Sequence, residues 1–255
     1  MKSIAIVTGA SGGLGKEFVK LLIKYNDISQ IWLIARNKEK LFSLKNKYGN
    51  KVRIFSIDLT DLCALQNLKE ELDENIRIKY LINNAGFAKF CSFDELSINE
   101  TLNMIDLNIK AVVSLGLLCV PFMEKGGHII NIASQAAFQP LPYMNVYSAT
   151  KAFIRNYTRA LNVELKDFGV NAIAVCPGWM KTGLYERGRI CARKAPSNFC
   201  HMIMPDVVAK KALDDAKNNR DISVYGLYVK TAHFFSKILP QKIMMKIWLF
   251  QQKIK

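Results

Sequence analysis

Short apolar runs rich in β-branched residues recur along this chain, and segments of helix length stand between them. The first is Ile4–Val7, followed by Ile31–Ala35, Val52–Ile57, Tyr80–Ile82, His128–Ile132 and Asn171–Val175. A continuous apolar run leaves no face for water, so it fits a strand covered on both sides. The intervening segments Lys16–Tyr25, Lys38–Tyr48, Asp61–Glu74, Ile98–Met123 and Val146–Asp167 place apolar residues at i, i+3 and i+4, the spacing of one helix face. Strands alternating with helices build βαβ units, which predicts an α/β, doubly wound parallel sheet with right-handed crossovers. No repeat, low-complexity tract or Pro/Gly/Ser linker divides the 255 residues. A single domain over 1–229 with a basic helical extension over 230–255 is therefore expected. Residues 179–205 lack clean periodicity and read as a loop or lid.

The balance of 36 Lys and Arg against 21 Asp and Glu gives +15. Such a total suits an anionic cofactor or a membrane surface as well as nucleic acid. The excess is uneven: no acid follows Asp221, whereas Lys230, Lys237, Lys242, Lys246, Lys253 and Lys255 do. The body of the chain therefore needs no nucleic acid. Six cysteines (Cys63, Cys91, Cys119, Cys176, Cys191, Cys200) show no CxxC and no partnering histidine, so no metal site is expected and the thiols read as reduced. Met1-Lys2-Ser3 runs straight into an apolar stretch too short for a signal segment, and Ala111–Met123 holds Ser114 and Pro121 and is too short to span a bilayer. A cytoplasmic location follows as the expectation.

Between the first strand and the first helix lies Thr8-Gly9-Ala10-Ser11-Gly12-Gly13-Leu14-Gly15. Glycines allow positive φ and close approach of a ligand. A helix opened by such a turn presents free N–H groups and a positive dipole end to a pyrophosphate. Its position after the first buried strand points to a Rossmann-type dinucleotide site rather than a surface turn.

The spacing T-G-x-x-x-G-x-G, joined by Asn83-Asn84-Ala85-Gly86, Asn108, Ser134, Tyr147-x-x-x-Lys151 and Pro177-Gly178, resembles the short-chain dehydrogenase/reductase superfamily. The resemblance is close from residue 3 to about 183. It implies an NAD(P)-dependent oxidoreductase with a cofactor site at Gly9, Ser11, Gly12, Gly13, Leu14 and Gly15. Asp58, with Leu59 beside it, matches the aspartate that holds the adenine amino group. Asn84, Ala85 and Gly86 match the wall beside the adenine ribose, and Asn83 reads as structural. Thr182, after Pro177-Gly178, matches the residue that bonds the nicotinamide carboxamide. The second strand ends in Ile34-Ala35-Arg36-Asn37-Lys38 with no acid for ribose hydroxyls. Arg36 could meet a 2′-phosphate, so NADP is favoured, although Gly12 stands where many NADP-preferring relatives carry a basic residue, and NAD stays open.

Tyr147 and Lys151 are four residues apart at the start of a helix, hence on one face. With nine tyrosines in a lysine-rich chain, about one such pair arises by chance; the company of the other motifs makes it a site. A phenol titrates near pH ~10, and a neighbouring ammonium favours its ionised form. Tyr147 is thus the expected acid in reduction and base in oxidation. The resemblance places Tyr147 beside the cofactor as well, and gives Lys151 a hold on the nicotinamide ribose and Asn108 a water linking Lys151 to solvent. Ser134, just past a strand, is read as a donor to the substrate oxygen.

The expected pocket lining is Phe87, Ala88, Ala136, Phe138, Leu141, Tyr143, Met144, Trp179, Met180, Leu184 and Tyr185, almost wholly apolar, which suits a steroid, lipid or aromatic ketone. His233–Lys255 reads as amphipathic helices broken at Pro240, packed over the site or into an interface, or in peripheral contact with a membrane. Relatives are commonly homodimers or homotetramers through the helices that carry Asn108 and Tyr147. A non-catalytic dinucleotide sensor on the same fold predicts a broken Ser/Tyr/Lys set. A sugar-nucleotide epimerase predicts a different glycine spacing and a longer substrate domain.

Overall fold

The computed structural model describes residues 1–189 and 195–254. Residues 190–194, which include Cys191 and part of the expected lid, and the side chain of Tyr185 lie outside the described residues.

Seven strands, β1 (Lys2–Thr8), β2 (Gln30–Ala35), β3 (Val52–Ser56), β4 (Ile76–Asn83), β5 (Met123–Ile132), β6 (Asn171–Val175) and β7 (Ile222–Ser223), form one sheet in the order β3-β2-β1-β4-β5-β6-β7. Every pairing is parallel. The chain reverses its winding between β1 and β4, and ligands of such sheets sit in the crevice at the carboxyl ends of those strands.

Among the described residues ten helices cover it: α1 (Gly13–Leu22), α2 (Lys38–Tyr48), α3 (Leu62–Glu70), α4 (Ile98–Ile105), α5 (Ala111–Cys119), α6 (Asn145–Glu164), α7 (Leu184–Gly188), α8 (Pro205–Lys217), α9 (Leu227–Ile238) and α10 (Gln241–Gln251). Successive strand residues face opposite layers. Ala5, Val7, Ile31 and Leu33 pack under α1 and α8, while Ile4, Ile6, Trp32 and Ile34 pack with Leu65 of α3 and Leu115 of α5. Each of these strand side chains is at most 1% exposed, so each contributes roughly 1.5–3 kcal/mol of burial if large.

The expected helix over Ile98–Met123 is three pieces and a strand start. A π turn, Asp106–Lys110, separates α4 from α5, and Pro121 lies in a short 3-10 turn before β5 begins at Met123. Counted through the turn, Ile98–Phe122 is 25 residues long and apolar enough to cross a bilayer by length and composition, which corrects the shorter reading of Ala111–Met123. Its buried residues Ala111, Leu115 and Cys119 pack with β4 and β5 core side chains. Asp61 caps α3 by accepting from the Cys63 N–H at 2.9 Å. Cys63, Cys91, Cys119, Cys176 and Cys200 are free.

The region read as a lid has its ends tied together. Met180 and Ile203 form a parallel bridge, with the Lys181 N–H donating to the Ile203 carbonyl at 2.9 Å. Pro240 stands between α9 and α10, where the sequence places the break.

Candidate active site

A cleft of about 1150 Å³ runs along the carboxyl ends of the central strands. Ligand pockets commonly measure ~300–1,000 Å³, so this one has room for a dinucleotide and a second molecule. Gly9, Ser11, Gly12, Gly13, Leu14, Arg36, Asp58, Leu59, Asn84, Ala85, Gly86, Ser134, Tyr147, Lys151, Pro177, Gly178 and Thr182 all line it. Two residues of the expected catalytic and cofactor set do not line it: Gly15 and Asn108 stand behind it.

The glycine loop is held from below by Thr8. Its hydroxyl accepts from the Asn84 and Ala85 N–H groups, both at 2.9 Å, and the Asn84 amide donates to the Thr8 carbonyl at 3.0 Å. Sequence reasoning left Thr8 out of the site; a buried hydroxyl at the last position of a buried strand was the available signal. Gly9 adopts φ +62°, which a side chain would oppose. Gly12 caps α1 without a side-chain hydrogen bond, and no acid occupies the first turn. A Cβ on Gly12 would meet nothing within 4 Å. Uncapped helix N–H groups facing open space, with no competing carboxylate, fit a pyrophosphate.

At the far end of this arm, Arg36 and Lys40 both line the cleft. Arg36 Nη1 lies 3.7 Å from Asp58 Oδ2, and Asp58 Oδ1 accepts from the Thr60 N–H at 2.9 Å and its hydroxyl at 2.8 Å. Burial would raise the Asp58 carboxyl, but the Thr60 donors and the Arg36 guanidinium outweigh it and hold it below its ordinary value. Lys40 was not singled out from sequence. Its signal is energetic: a lysine in the first turn of α2 works against the helix dipole unless an anion sits there.

The other arm holds the expected Ser134, Tyr147 and Lys151 set. Ser134 follows β5 and Tyr147 and Lys151 lie one turn apart on α6. Lys151 is 6% exposed, and its ammonium donates to the Ile132 carbonyl at 2.8 Å. It sits 5.8 Å from the Tyr147 ring centroid. Burial pushes the Tyr147 phenol up to about 12, with the adjoining Ser134 hydroxyl pulling it back as a donor. Burial likewise brings Lys151 down to about 8. In this arrangement the Lys151 ammonium is directed at the Ile132 carbonyl, and burial dominates the Tyr147 phenol. A phenol that keeps its proton is the form reduction needs.

These values set a pH dependence. Lys151 carries its charge below about pH 8 and loses it above, while Tyr147 stays protonated throughout that range. The ratio kcat/KM reports the free enzyme's groups, so for reduction it is expected to fall as pH rises through about 8. A flat profile up to pH ~10, the ordinary lysine value, would contradict it.

Asn108 belongs to the π turn and is fully buried. Its Oδ1 accepts from the Phe87 N–H at 3.1 Å, and its Nδ2 donates to the Phe87 carbonyl at 2.9 Å and to Thr150 Oγ1 at 3.1 Å. Thr150 in turn donates to the Tyr147 carbonyl at 2.8 Å. Asn108 therefore ties the Phe87 segment that follows β4 to α6. A Cβ on Gly86 would stand 2.8 Å from Asn108 Oδ1 and 3.6 Å from Lys151 Nζ, so only glycine leaves that approach open.

Phe87, Ala88, Ala136, Phe138, Leu141, Met144, Trp179, Met180 and Leu184 line the substrate arm. Tyr143 does not. Its φ of +65° is a left-handed turn just before α6, and the side chain is absent from the lining. Polar residues missed from sequence join the wall: Gln135, Gln139, Asn198, Gln251, Gln252 and Lys89, the last paired with Glu100 at 2.9 Å. They come from distant stretches that only the tertiary fold brings together. The C-terminal helix closes this arm. Trp248 is buried in one cluster with Tyr147, Met144 and Phe90, and its Nε1 donates to the Pro142 carbonyl at 3.0 Å.

An open parallel sheet with a glycine cradle at its switch point, facing a Ser/Tyr/Lys set across one cleft, defines a dinucleotide-fold oxidoreductase. The chain belongs to the short-chain dehydrogenase family, whose sequence model matches residues 3–189. An uncharacterized oxidoreductase of Staphylococcus epidermidis is 31% identical over 188 residues, covering 72% of this chain and 81% of the relative. One of Staphylococcus aureus is 33% identical over 192 residues, covering 71% and 79%. Among solved structures, a short-chain dehydrogenase from Sphingobium yanoikuyae in complex with NADPH superposes with a TM-score of 0.79 at 27% identity, over 96% of this chain and 95% of that one. The closed form of a serine dehydrogenase complexed with NADP+ gives 0.77 at 28% identity, over 87% and 94%.

Proposed function

We propose that this oxidoreductase uses NADP to interconvert a carbonyl and a secondary alcohol on a hydrophobic substrate. The observation that carries the reading is one continuous cleft with the glycine loop, Arg36 and Lys40 in one arm and Ser134, Tyr147 and Lys151 in the other. The two similar structures bound to NADPH and NADP+ support the cofactor assignment. When bound, the nicotinamide would supply or accept a hydride. In reduction Ser134 donates to the substrate oxygen as charge builds there, and Tyr147 delivers the proton. Lys151, held by the Ile132 carbonyl, keeps a positive charge beside them. The apolar wall from Phe87 to Leu184 excludes water and favours a steroid, lipid or aromatic ketone. A non-catalytic sensor is not favoured, because the catalytic set is complete.

A panel of hydroxysteroids and apolar ketones followed at the nicotinamide absorbance, with NADPH and NADH in parallel, tests this reading. Activity with none of them would count against it. The double variant Arg36→Ala/Lys40→Ala should raise KM for NADPH by roughly 10–100-fold, the scale of lost charge-assisted hydrogen bonds, and leave KM for NADH nearly unchanged. Equal losses with both cofactors would instead place these cations elsewhere.

Leu102, Ile105, Leu117, Phe153 and Val163 are exposed on α4, α5 and α6. This surface supports a homodimer or homotetramer through those helices. Light scattering should give a multiple of the 28.9 kDa chain mass, and Leu117→Asp should shift it towards monomer. A monomeric parent would sink this part of the reading.

A further inference from the structure

The substrate arm of the cleft runs out between α9 and α10. Phe235 and Ile247 line it, yet they are 50% and 38% exposed, so they belong to the pocket wall and the outer surface at once. Around this mouth each helix presents an apolar stripe to the outside. On α9 it is Leu227, Phe234 and Ile238, at i, i+7 and i+11; on α10 it is Ile243, Ile247 and Phe250, at i, i+4 and i+7. All six are exposed, Phe250 by 85%.

These residues are not needed to hold the helices in place. On α10 the opposite face is spent inwards: Met244, Trp248 and Gln252 are buried, and Gln252 Oε1 accepts from the Ser197 and Asn198 N–H groups at 3.0 and 2.9 Å. On α9, Val229 is buried and His233 stacks on Phe138 at 4.2 Å.

Beside each apolar stripe run lysines, Lys230 and Lys237 on α9 and Lys242 and Lys246 on α10, with Lys253 just past its end. None of the five is ion-paired among the described residues, and no acid follows Asp221, itself engaged by Arg159 at 2.6 Å. A second copy seated here would bring like charges together, which opposes association. Aromatic and aliphatic side chains flanked by unpaired lysines match a layer that is hydrocarbon below and anionic above.

We propose that α9 and α10 dock on an anionic bilayer surface, which turns the cleft mouth towards the acyl chains. The substrate is then a ketone or secondary alcohol carried on a long aliphatic chain or dissolved in the bilayer. That second clause rests on the function proposed above; the docking does not. The test is co-sedimentation of the full chain with phosphatidylcholine vesicles, with and without phosphatidylglycerol, at low and high salt. Binding should need the anionic lipid and weaken with salt. Lys242→Glu/Lys246→Glu should lower partitioning by roughly tenfold or more, and Phe250→Ser should weaken it while leaving its salt dependence. Neither variant should change turnover of a short, water-soluble ketone, whereas both should lower turnover of a vesicle-borne long-chain ketone. Equal binding to neutral vesicles, no binding, or variants that bind like the parent would overturn the proposal. So would self-association through this face that Phe250→Ser abolishes. Anionic binding without turnover of either ketone would leave the docking surface standing and remove the functional reading.

Discussion

Tyr147→Phe is expected to lower carbonyl reduction about 10³-fold, the middle of the range for loss of a general acid, with NADPH affinity nearly unchanged. Phenylalanine keeps the ring in its apolar cluster and its edge-on contact with Phe90, 6.0 Å between centroids, so the fold has no reason to move. What disappears is the hydroxyl that Ser134 adjoins and that burial keeps protonated. Lys151 and the glycine cradle, the groups expected to hold the cofactor, are untouched. Steady-state rates together with NADPH fluorescence titration separate the two effects. Turnover close to the parent's would show that the proton comes from elsewhere, and loss of NADPH binding would show that the phenol is part of the cofactor site.

Gly15→Ala is expected to damage the protein more broadly, although Gly15 does not touch the cleft. An added Cβ would collide with the Gly9 carbonyl oxygen and lie 2.8 Å from the Asn84 amide nitrogen. Both belong to the junction of the glycine loop with the end of β4, where the Asn84 amide donates to the Thr8 and Gly9 carbonyls at 3.0 and 3.3 Å. Backbone cannot give way as a flexible side chain can, so the cost falls near the upper end of overpacking, about 3 kcal/mol. For a chain of this size that is a fall in Tm of roughly 6–12 °C, accompanied by weakened NADPH binding. Gly12→Ala is the control, since its Cβ would meet nothing within 4 Å and its φ of −162° is open to any residue. It should leave Tm nearly unchanged. Equal stability in the two variants would contradict the packing argument.

The parallel sheet and the site differ in how far each could be read from residues alone. β1 and β6 are legible because every side chain of Ile4–Val7 and of 172–175 is buried, leaving unbroken apolar runs. β4 is longer than its apolar core suggests, since Arg77 and Lys79 alternate outwards between Ile76, Ile78 and Tyr80. β7 could not be read. It is two residues long and exists through its pairing with Ala174 and Val175, a tertiary effect with no local pattern. The helix α8 was legible and passed over: Pro205 at its first turn, Asp206 beside it and Lys217 at its end are ordinary boundary signals.

In the site, the glycine loop and the Ser/Tyr/Lys set announce themselves by order and spacing. Other features do not. Asn108 is readable as important, but its bonds to Phe87 and Thr150 depend on a π turn that sequence does not mark. Trp248 reaches Pro142 across 106 residues, so the closing of the pocket by the last helix emerges only when the chain is folded.

Hydride transfer between NADP and a carbonyl carbon is the function proposed for this cleft. Its most direct test is incubation with NADPH deuterated at the transferable position of the nicotinamide and a panel of apolar ketones, followed by mass spectrometry of the products. The expected product is an alcohol carrying one deuterium on the carbinol carbon, and none with Tyr147→Phe over the same interval. Tight NADPH binding with no labelled alcohol from any ketone would contradict it.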